Sequence, residues 1–309
     1  MNASVHELFV QMTKRGFQAQ VVSIDHIPSL QQEIERRHRQ NLFDKDFYQE
    51  RLGWINFGIP RGLPEARSLI VVAVPRPQTQ AIFTWKEQRR PLILPPTYTP
   101  YSETRRQVED LLAEFLSKEG YRLATTALPL KLLAVQSGLG QYGRNNICYV
   151  SGMGSFLQLV AVYSDLPCEK DTWQEASMMK ACEKCQLCGK ACPTGAISSD
   201  RFLLHAERCI VYHNEKKGDI PFPDWMKSAW HNCIVGCMHC QRACPINRNF
   251  IEWIGEKEQF SEEETKLVLN GVPRDELPVM TLRKLEKLSL TDYYDSLPRN
   301  LTVLFKRPE

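Results

Sequence analysis

Hydrophobic positions along the first half of the chain follow two different periods. Residues 66–75, "ARSLIVVAVP", form an unbroken apolar, β-branched run closed by a proline, which predicts a buried strand. Residues 156–163, "FLQLVAVY", predict another. Between them, residues 103–120 change to the helical period: Val108, Leu111, Leu112, Phe115 and Leu116 share one face, and Gly120 stands where a helix would stop. "LPLKLLAVQ" (128–136) reads as a short helix and "NICYV" (146–150) as a short strand. Helical and strand periods thus interleave, as in an α/β region filling the first half of the chain. The doubled cysteine motif described below is the only internal repeat, and there is no low-complexity tract.

The loop between that helix and strand, "SGLGQYGRNN" (137–146), contains G-x-G-x-x-G at Gly138, Gly140 and Gly143, with Asp165 roughly 20 residues on. A dinucleotide loop leaves a strand and opens a helix, so that the pyrophosphate meets the positive end of the helix. Here the order is helix, loop, strand, which argues against NAD or FAD.

Composition narrows the picture further. The 309 residues are 43% hydrophobic and 24% charged, as in an ordinary globular protein, and 39 basic against 36 acidic residues leave +3. That balance calls for no strongly polyanionic partner, and the basic clusters 36–39 ("RRHR") and 86–90 ("KEQRR") read as solvated faces. The N-terminus has no apolar signal region, and no run of 18 apolar residues occurs, so the expectation is a cytoplasmic protein with no membrane association. In a reducing compartment the eleven cysteines suggest metal binding rather than disulfides.

Nine of those cysteines fall between residues 182 and 244. "CEKCQLCGKACP" places Cys182, Cys185, Cys188 and Cys192 in the C-x2-C-x2-C-x3-C-P run of a [4Fe–4S] ferredoxin. Three thiolates spaced three apart wrap one cluster, and the fourth, before Pro193, turns toward another. A zinc site prefers paired C-x-x-C knuckles and has no use for the third cysteine. The second motif, "IVGCMHCQRACP", supplies Cys237, Cys240 and Cys244 but carries Ile234 where a further ligand would stand. By crossover, Cys244 completes the first cluster with Cys182, Cys185 and Cys188. The second cluster has Cys192, Cys237 and Cys240 and needs a fourth ligand, either Cys209 in "ERCIVYH" or Cys233. Cys209 is favoured, because a remote ligand staples the connecting segment. With Cys209 as the ligand, Cys148, Cys168 and Cys233 are left as thiols without a role, and His231 and His239 are expected to bond sulfide or backbone.

The order of these motifs resembles a superfamily: a "GLGxxG[RK]N" loop, a glycine turn, a strand ending "YSDLP", the first cysteine run, a lone "RC", and the second run. It is that of the epoxyqueuosine reductases and reductive dehalogenases, cobalamin-dependent proteins with two [4Fe–4S] clusters. The likeness spans roughly residues 65–250. It implies an α/β fold: a nitroreductase-like corrinoid-binding domain (1–172), a two-[4Fe–4S] ferredoxin-like domain (173–250) and a helical C-terminal tail (251–309). It further implies base-off cobalamin lined by Gly138, Leu139, Gly140, Gly143, Arg144, Asn145, Gly154, Ser155 and Phe156. Glycines here would let backbone N–H groups approach the corrin rim. The resemblance also supports Cys209 as the remote ligand.

Two departures shape the functional expectation. Where epoxyqueuosine reductases carry a proton-donating aspartate, ungapped alignment places Ala124, beside Thr125 and Thr126, and neither side-chain type is a competent acid. About 65 residues follow the last cysteine, little room for a tRNA-holding helical domain, which argues against tRNA as a partner. The dehalogenase side implies a tyrosine donor with a basic residue nearby. Tyr98, Tyr101 and Tyr142 are candidates, with Tyr101 preferred and Arg144 placed to lower a phenol pKa. The expected function is therefore a cobalamin-dependent iron–sulfur reductase acting on an unidentified small molecule, with electrons from a ferredoxin- or flavodoxin-type donor. Alternatives are an electron-transfer protein serving a corrinoid partner protein, and an epoxyqueuosine reductase-like tRNA-modifying enzyme.

Overall fold

The computed structural model describes residues 3–306 and is a mixed α/β structure with two compact units. One comprises the chain up to Pro75, Tyr101–Gln186 and Arg201–Leu203; the other comprises Arg76–Pro100, Leu187–Asp200 and the chain from Leu204 onward.

The first unit is built on an antiparallel sheet in the order β1 (Gln18–Ser23), β2 (Ser68–Pro75), β8 (Leu157–Ser164), β5 (Leu123–Thr125). In the central pair, Ser68 lies opposite Ser164 and Pro75 opposite Leu157. The apolar run of β2 is unbroken because both faces of the sheet are covered. Ile70, Val72 and Val74 pack with Leu8 and Met12 of α1 (Ala3–Lys14) and with Val108, Leu111 and Leu112 of α4 (Tyr101–Leu116). Leu69, Val71 and Ala73 pack with Leu30 of α2 (Ile27–Arg39) and with Leu132, Leu133 and Val135 of α5 (Leu130–Gln136). The helix expected over 103–120 continues α4 through a tight turn, Ser117–Glu119, to Gly120 at φ +81°, the left-handed stop. After α5 comes the glycine loop and a small hairpin of β6 (Gln141–Tyr142) and β7 (Cys148–Tyr149), so helix, loop and strand follow in the order expected.

The second unit holds a hairpin of β3 (Gln78–Trp85) and β4 (Gln88–Leu94) and a third strand, β9 (Ile254–Phe260), parallel to β3. Lys86 and Glu87 both adopt positive φ, the tight turn whose twist suits a two-residue hairpin. The apolar face of this sheet is closed by α9 (Glu262–Leu269), α10 (Val279–Lys287) and α11 (Leu297–Phe305), which bring Val268, Leu285 and Leu301 to Ala81, Phe83 and Phe260. These units cut the chain differently from the expected boundaries at 172 and 250. Residues 76–100, expected in the first domain, share a sheet with residues of the tail, and the tail begins with a strand. A hairpin with one apolar face needs a cover, and the C-terminal segment supplies it. Among the described residues no helix is long and apolar enough to cross a membrane.

Candidate functional site

Among the described residues no cysteine is paired in a disulfide. In the second unit, α6 (Leu187–Ala191) packs against α8 (His239–Arg242), joining the two cysteine motifs. Cys188 lies buried on α6 and Cys192 follows it; Cys240 lies on α8 and Cys244 follows, just before Pro245. Cys209 comes directly before α7 (Ile210–Asn214), after a tight turn at Ala206–Arg208. Burial pushes the Cys209 thiol up to about 11, and the neighbouring Cys192 adds to the effect. Cys237 is pushed well above the ordinary thiol range by burial, then by Cys233, Cys209 and Cys192. Thiols from three separate segments thus feel one another's charge in a partly buried place. As thiolates they need a compensating cation, and an all-sulfur donor set suits an iron–sulfur cluster. Both fourth-ligand candidates, Cys209 and Cys233, are within electrostatic reach of Cys237. His239 Nε2 lies 2.9 Å from the Trp230 carbonyl, a backbone bond.

In the first unit, Arg144 faces the leading cysteine motif. Its Nη2 donates to the Cys182 carbonyl (2.8 Å) and the Glu183 carbonyl (3.2 Å), and its Nε to the Cys185 carbonyl (3.0 Å). One guanidinium therefore ties down the backbone between two expected ligands. This bonding differs from the expected role. The phenols of Tyr98, Tyr101 and Tyr142 are all raised, first by burial, with no lowering by Arg144. Tyr142 reaches about 12 despite the opposing pull of Arg37. Tyr98 is partly buried and donates its hydroxyl hydrogen to Glu215, and Tyr101 begins α4 with 39% of its surface exposed. Ala124 sits on β5 opposite Tyr163, and the Thr126 hydroxyl accepts the Leu128 N–H in a turn. Neither position carries an acid.

The glycine loop does not have the form expected of a corrin seat. Its amides are used internally: Gly138 N–H donates to Val135, Gly140 to Ala134, Tyr142 to Ser177, Gly143 to Ile147 and Asn146 to Gly143. A methyl group at Gly140 would lie 2.7 Å from Cys148 Sγ, and one at Gly143 would lie 2.6 Å from the Tyr149 ring. Leu139, Asn145, Ser155 and Phe156 are buried, with the Asn145 amide donating to the Tyr149 hydroxyl at 3.0 Å. Gly138 and Leu139 border a cavity of about 330 Å³, at the lower end for a drug-sized ligand. These residues close the hairpin on itself and do not fit the larger corrinoid. Sequence reasoning also missed Asn214 and Asn300, two fully buried amides near Cys209 and Cys237. A polar Asn300 on the otherwise apolar face of α11 was the available signal.

Comparison with known proteins agrees with the cysteine spacing. The 4Fe-4S double cluster binding domain family matches residues 181–247. An epoxyqueuosine reductase of Bacillus subtilis is 28% identical over 195 residues, covering 60% of this chain and 49% of that protein. One from Francisella cf. novicida is 32% identical over 144 residues, covering 46% and 39%. The chain thus spans about half or less of the length of these curated relatives. Among solved structures, a B. subtilis epoxyqueuosine reductase aligns with a TM-score of 0.67 at 21% identity, covering 97% of this chain and 80% of that one. A second, an epoxyqueuosine reductase with a tRNA-Tyr epoxyqueuosine-modified stem loop, aligns with a TM-score of 0.68 at 20% identity over the same shares.

Two expectations are corrected by these relatives. The named relatives are epoxyqueuosine reductases, which overturns the expectation of a corrinoid reductase acting on an unidentified small molecule. The argument against tRNA also falls, since a protein of this fold has been solved with a tRNA stem loop. That argument rested on where the chain ends, which says nothing of nucleic-acid contacts elsewhere. By sequence and fold this chain is similar to the epoxyqueuosine reductases, and its residues 181–247 match the 4Fe-4S double cluster binding domain family.

Proposed function

We propose that this chain is an iron–sulfur oxidoreductase of the epoxyqueuosine reductase type, acting on an epoxide-bearing nucleoside in tRNA. The observation that carries the reading is the double cluster domain at 181–247, set within a chain whose named relatives are such reductases. Reducing an epoxide to an alkene consumes two electrons and two protons and releases water, and a pair of one-electron clusters matches that demand. Cys182, Cys185, Cys188 and Cys244 hold one cluster; Cys192, Cys209, Cys237 and Cys240 hold the other. Arg144 fixes the backbone of the first ligand loop through the carbonyls of Cys182 and Cys185. With Ala124 in place of an acid, the Tyr101 hydroxyl is the proposed proton source, its pKa raised by partial burial.

Cobalamin is the further cofactor that the resemblance implies, and it would supply a cobalt centre for two-electron reduction. The self-bonded loop at 138–146 gives it no seat, so the proposal stands on the clusters. A cytoplasmic setting, where the thiols stay reduced and tRNA is found, belongs with this reading.

The test is turnover of epoxyqueuosine-containing tRNA by the anaerobically reconstituted protein, with a low-potential chemical reductant and with added cob(II)alamin in a parallel series. Conversion to the alkene, slowed at least tenfold by Tyr101→Phe, is the expected result. No conversion in either series, with both clusters intact by EPR, would overturn the proposal.

A further inference from the structure

The segments carrying Cys209 and Cys237 are joined, within the second unit, by buried side-chain amides. Asn214, the last residue of α7, is 1% exposed. Its Nδ2 donates to the Gly236 carbonyl at 2.7 Å, and its Oδ1 accepts the Gly236 N–H at 3.1 Å. Both polar ends of one amide therefore close on the residue just before Cys237. Asn300 on α11, also 1% exposed, donates from Nδ2 to the carbonyls of Asn214 (2.9 Å) and Ile234 (3.0 Å). The neighbouring Arg299 donates to the carbonyls of His213 (3.1 Å), Asn214 (3.3 Å) and Lys216 (3.0 Å), where α7 ends.

Gly236 is held from another side as well. It adopts φ +80°, and a methyl group there would collide with the Tyr98 ring. Ile234 N–H donates to the Ile93 carbonyl at 2.9 Å. The backbone at 234–236 is therefore gripped by α7, by α11 and by the segment around β4.

Buried amides are costly to leave unpaired, and a fully satisfied buried network fixes one arrangement over its alternatives. An apolar contact would hold α7 and the 234–236 loop together equally firmly but with less directional control. We infer that Asn214 and Asn300, backed by Arg299, are positioning residues for the second iron–sulfur cluster, holding Cys209 and Cys237 at the spacing one cluster requires. The inference rests on the reading of Cys192, Cys209, Cys237 and Cys240 as the ligands of that cluster.

The test uses the full chain, reconstituted anaerobically, with iron content, EPR of the reduced protein, midpoint potentials and the rate of iron release to a chelator as readouts. Cys209→Ser is the reference and is expected to remove one of two EPR components. Asn214→Ala and Asn300→Ala are expected to weaken that same component, through at least threefold faster iron release and a displaced potential, while the other component is unchanged. Asn214→Asp keeps the acceptor for the Gly236 N–H and is expected to retain the cluster with a lower potential, from the added negative charge. It also carries the test should Asn214→Ala fail to fold. Wild-type potentials and iron release in all three asparagine variants, with one component lost in Cys209→Ser, would overturn the positioning role alone. Two unchanged components in Cys209→Ser would instead overturn the ligand reading beneath it.

Discussion

A methyl group at position 140 would approach Cys148 Sγ to 2.7 Å and the Tyr149 carbonyl to 2.8 Å, neither of which can move without opening the hairpin. Gly140→Ala is therefore expected to lower stability by about 1–3 kcal/mol in urea unfolding, the usual cost of overpacking, with iron content unchanged. A ligand-lining glycine would show the opposite pattern, with stability kept and a cofactor lost. The same hairpin holds two buried acids. Burial raises the Cys148 thiol from 9.0 to about 12 and the Tyr142 phenol from 10.0 to about 12. In the unfolded chain both groups release their protons at the ordinary values, so above those values the native state binds more protons than the unfolded one. Their contribution to stability is complete below about pH 9 and is lost as pH rises toward about 12. Unfolding free energy measured from about pH 8 to about pH 10.5 should fall, and Cys148→Ala should flatten part of that slope. Arg144 offers a third residue-scale test. Arg144→Ala removes its bonds to the carbonyls of Cys182, Glu183 and Cys185, and should release iron from one cluster faster than wild type in a chelator assay. Arg144→Lys, which keeps the charge but not the fork, should recover only part of the loss.

At the scale of elements, α9 is the best defined by its own sequence. Ser261 accepts the Glu264 N–H at 3.2 Å, and the Glu264 carboxylate accepts the Ser261 N–H at 2.8 Å, a reciprocal cap that settles where the helix starts. Glu264 also accepts from Lys284 at 2.7 Å, so the cap ties α9 to α10. Ser261→Ala should cost about 1 kcal/mol in chemical denaturation, as loss of an N-cap usually does. The short helices α6, α7 and α8 have no comparable self-sufficiency. Five or fewer residues cannot hold a helix in isolation, so packing and the buried amides must define them.

At the scale of the whole molecule, the sheet of the second unit is completed by a strand far along the chain. Phe83 of β3 and Phe260 of β9 stack with ring centroids 4.5 Å apart, both fully buried. Phe260→Ala should destabilise the unit by about 3–5 kcal/mol in a urea melt, because the cavity opens at the centre of its core. The strands at 66–75 and 156–163, the helix over 103–120 and the order of helix, loop and strand around the glycines could all be read beforehand. Each is written in a local period that reports which side is buried. The cysteine motifs were equally plain, since ligand spacing within a loop is itself local. The packing of 76–100 with the C-terminal segment depends instead on two apolar faces more than 150 residues apart meeting, which no short window contains. The glycine loop misled for the same reason: its pattern states that side chains are excluded, while only tertiary structure shows that the chain's own Cys148 and Tyr149 exclude them. Asn214 and Asn300 lie 86 residues apart and meet at one backbone carbonyl, a pairing set by the packing of helices and not by any pattern along the chain.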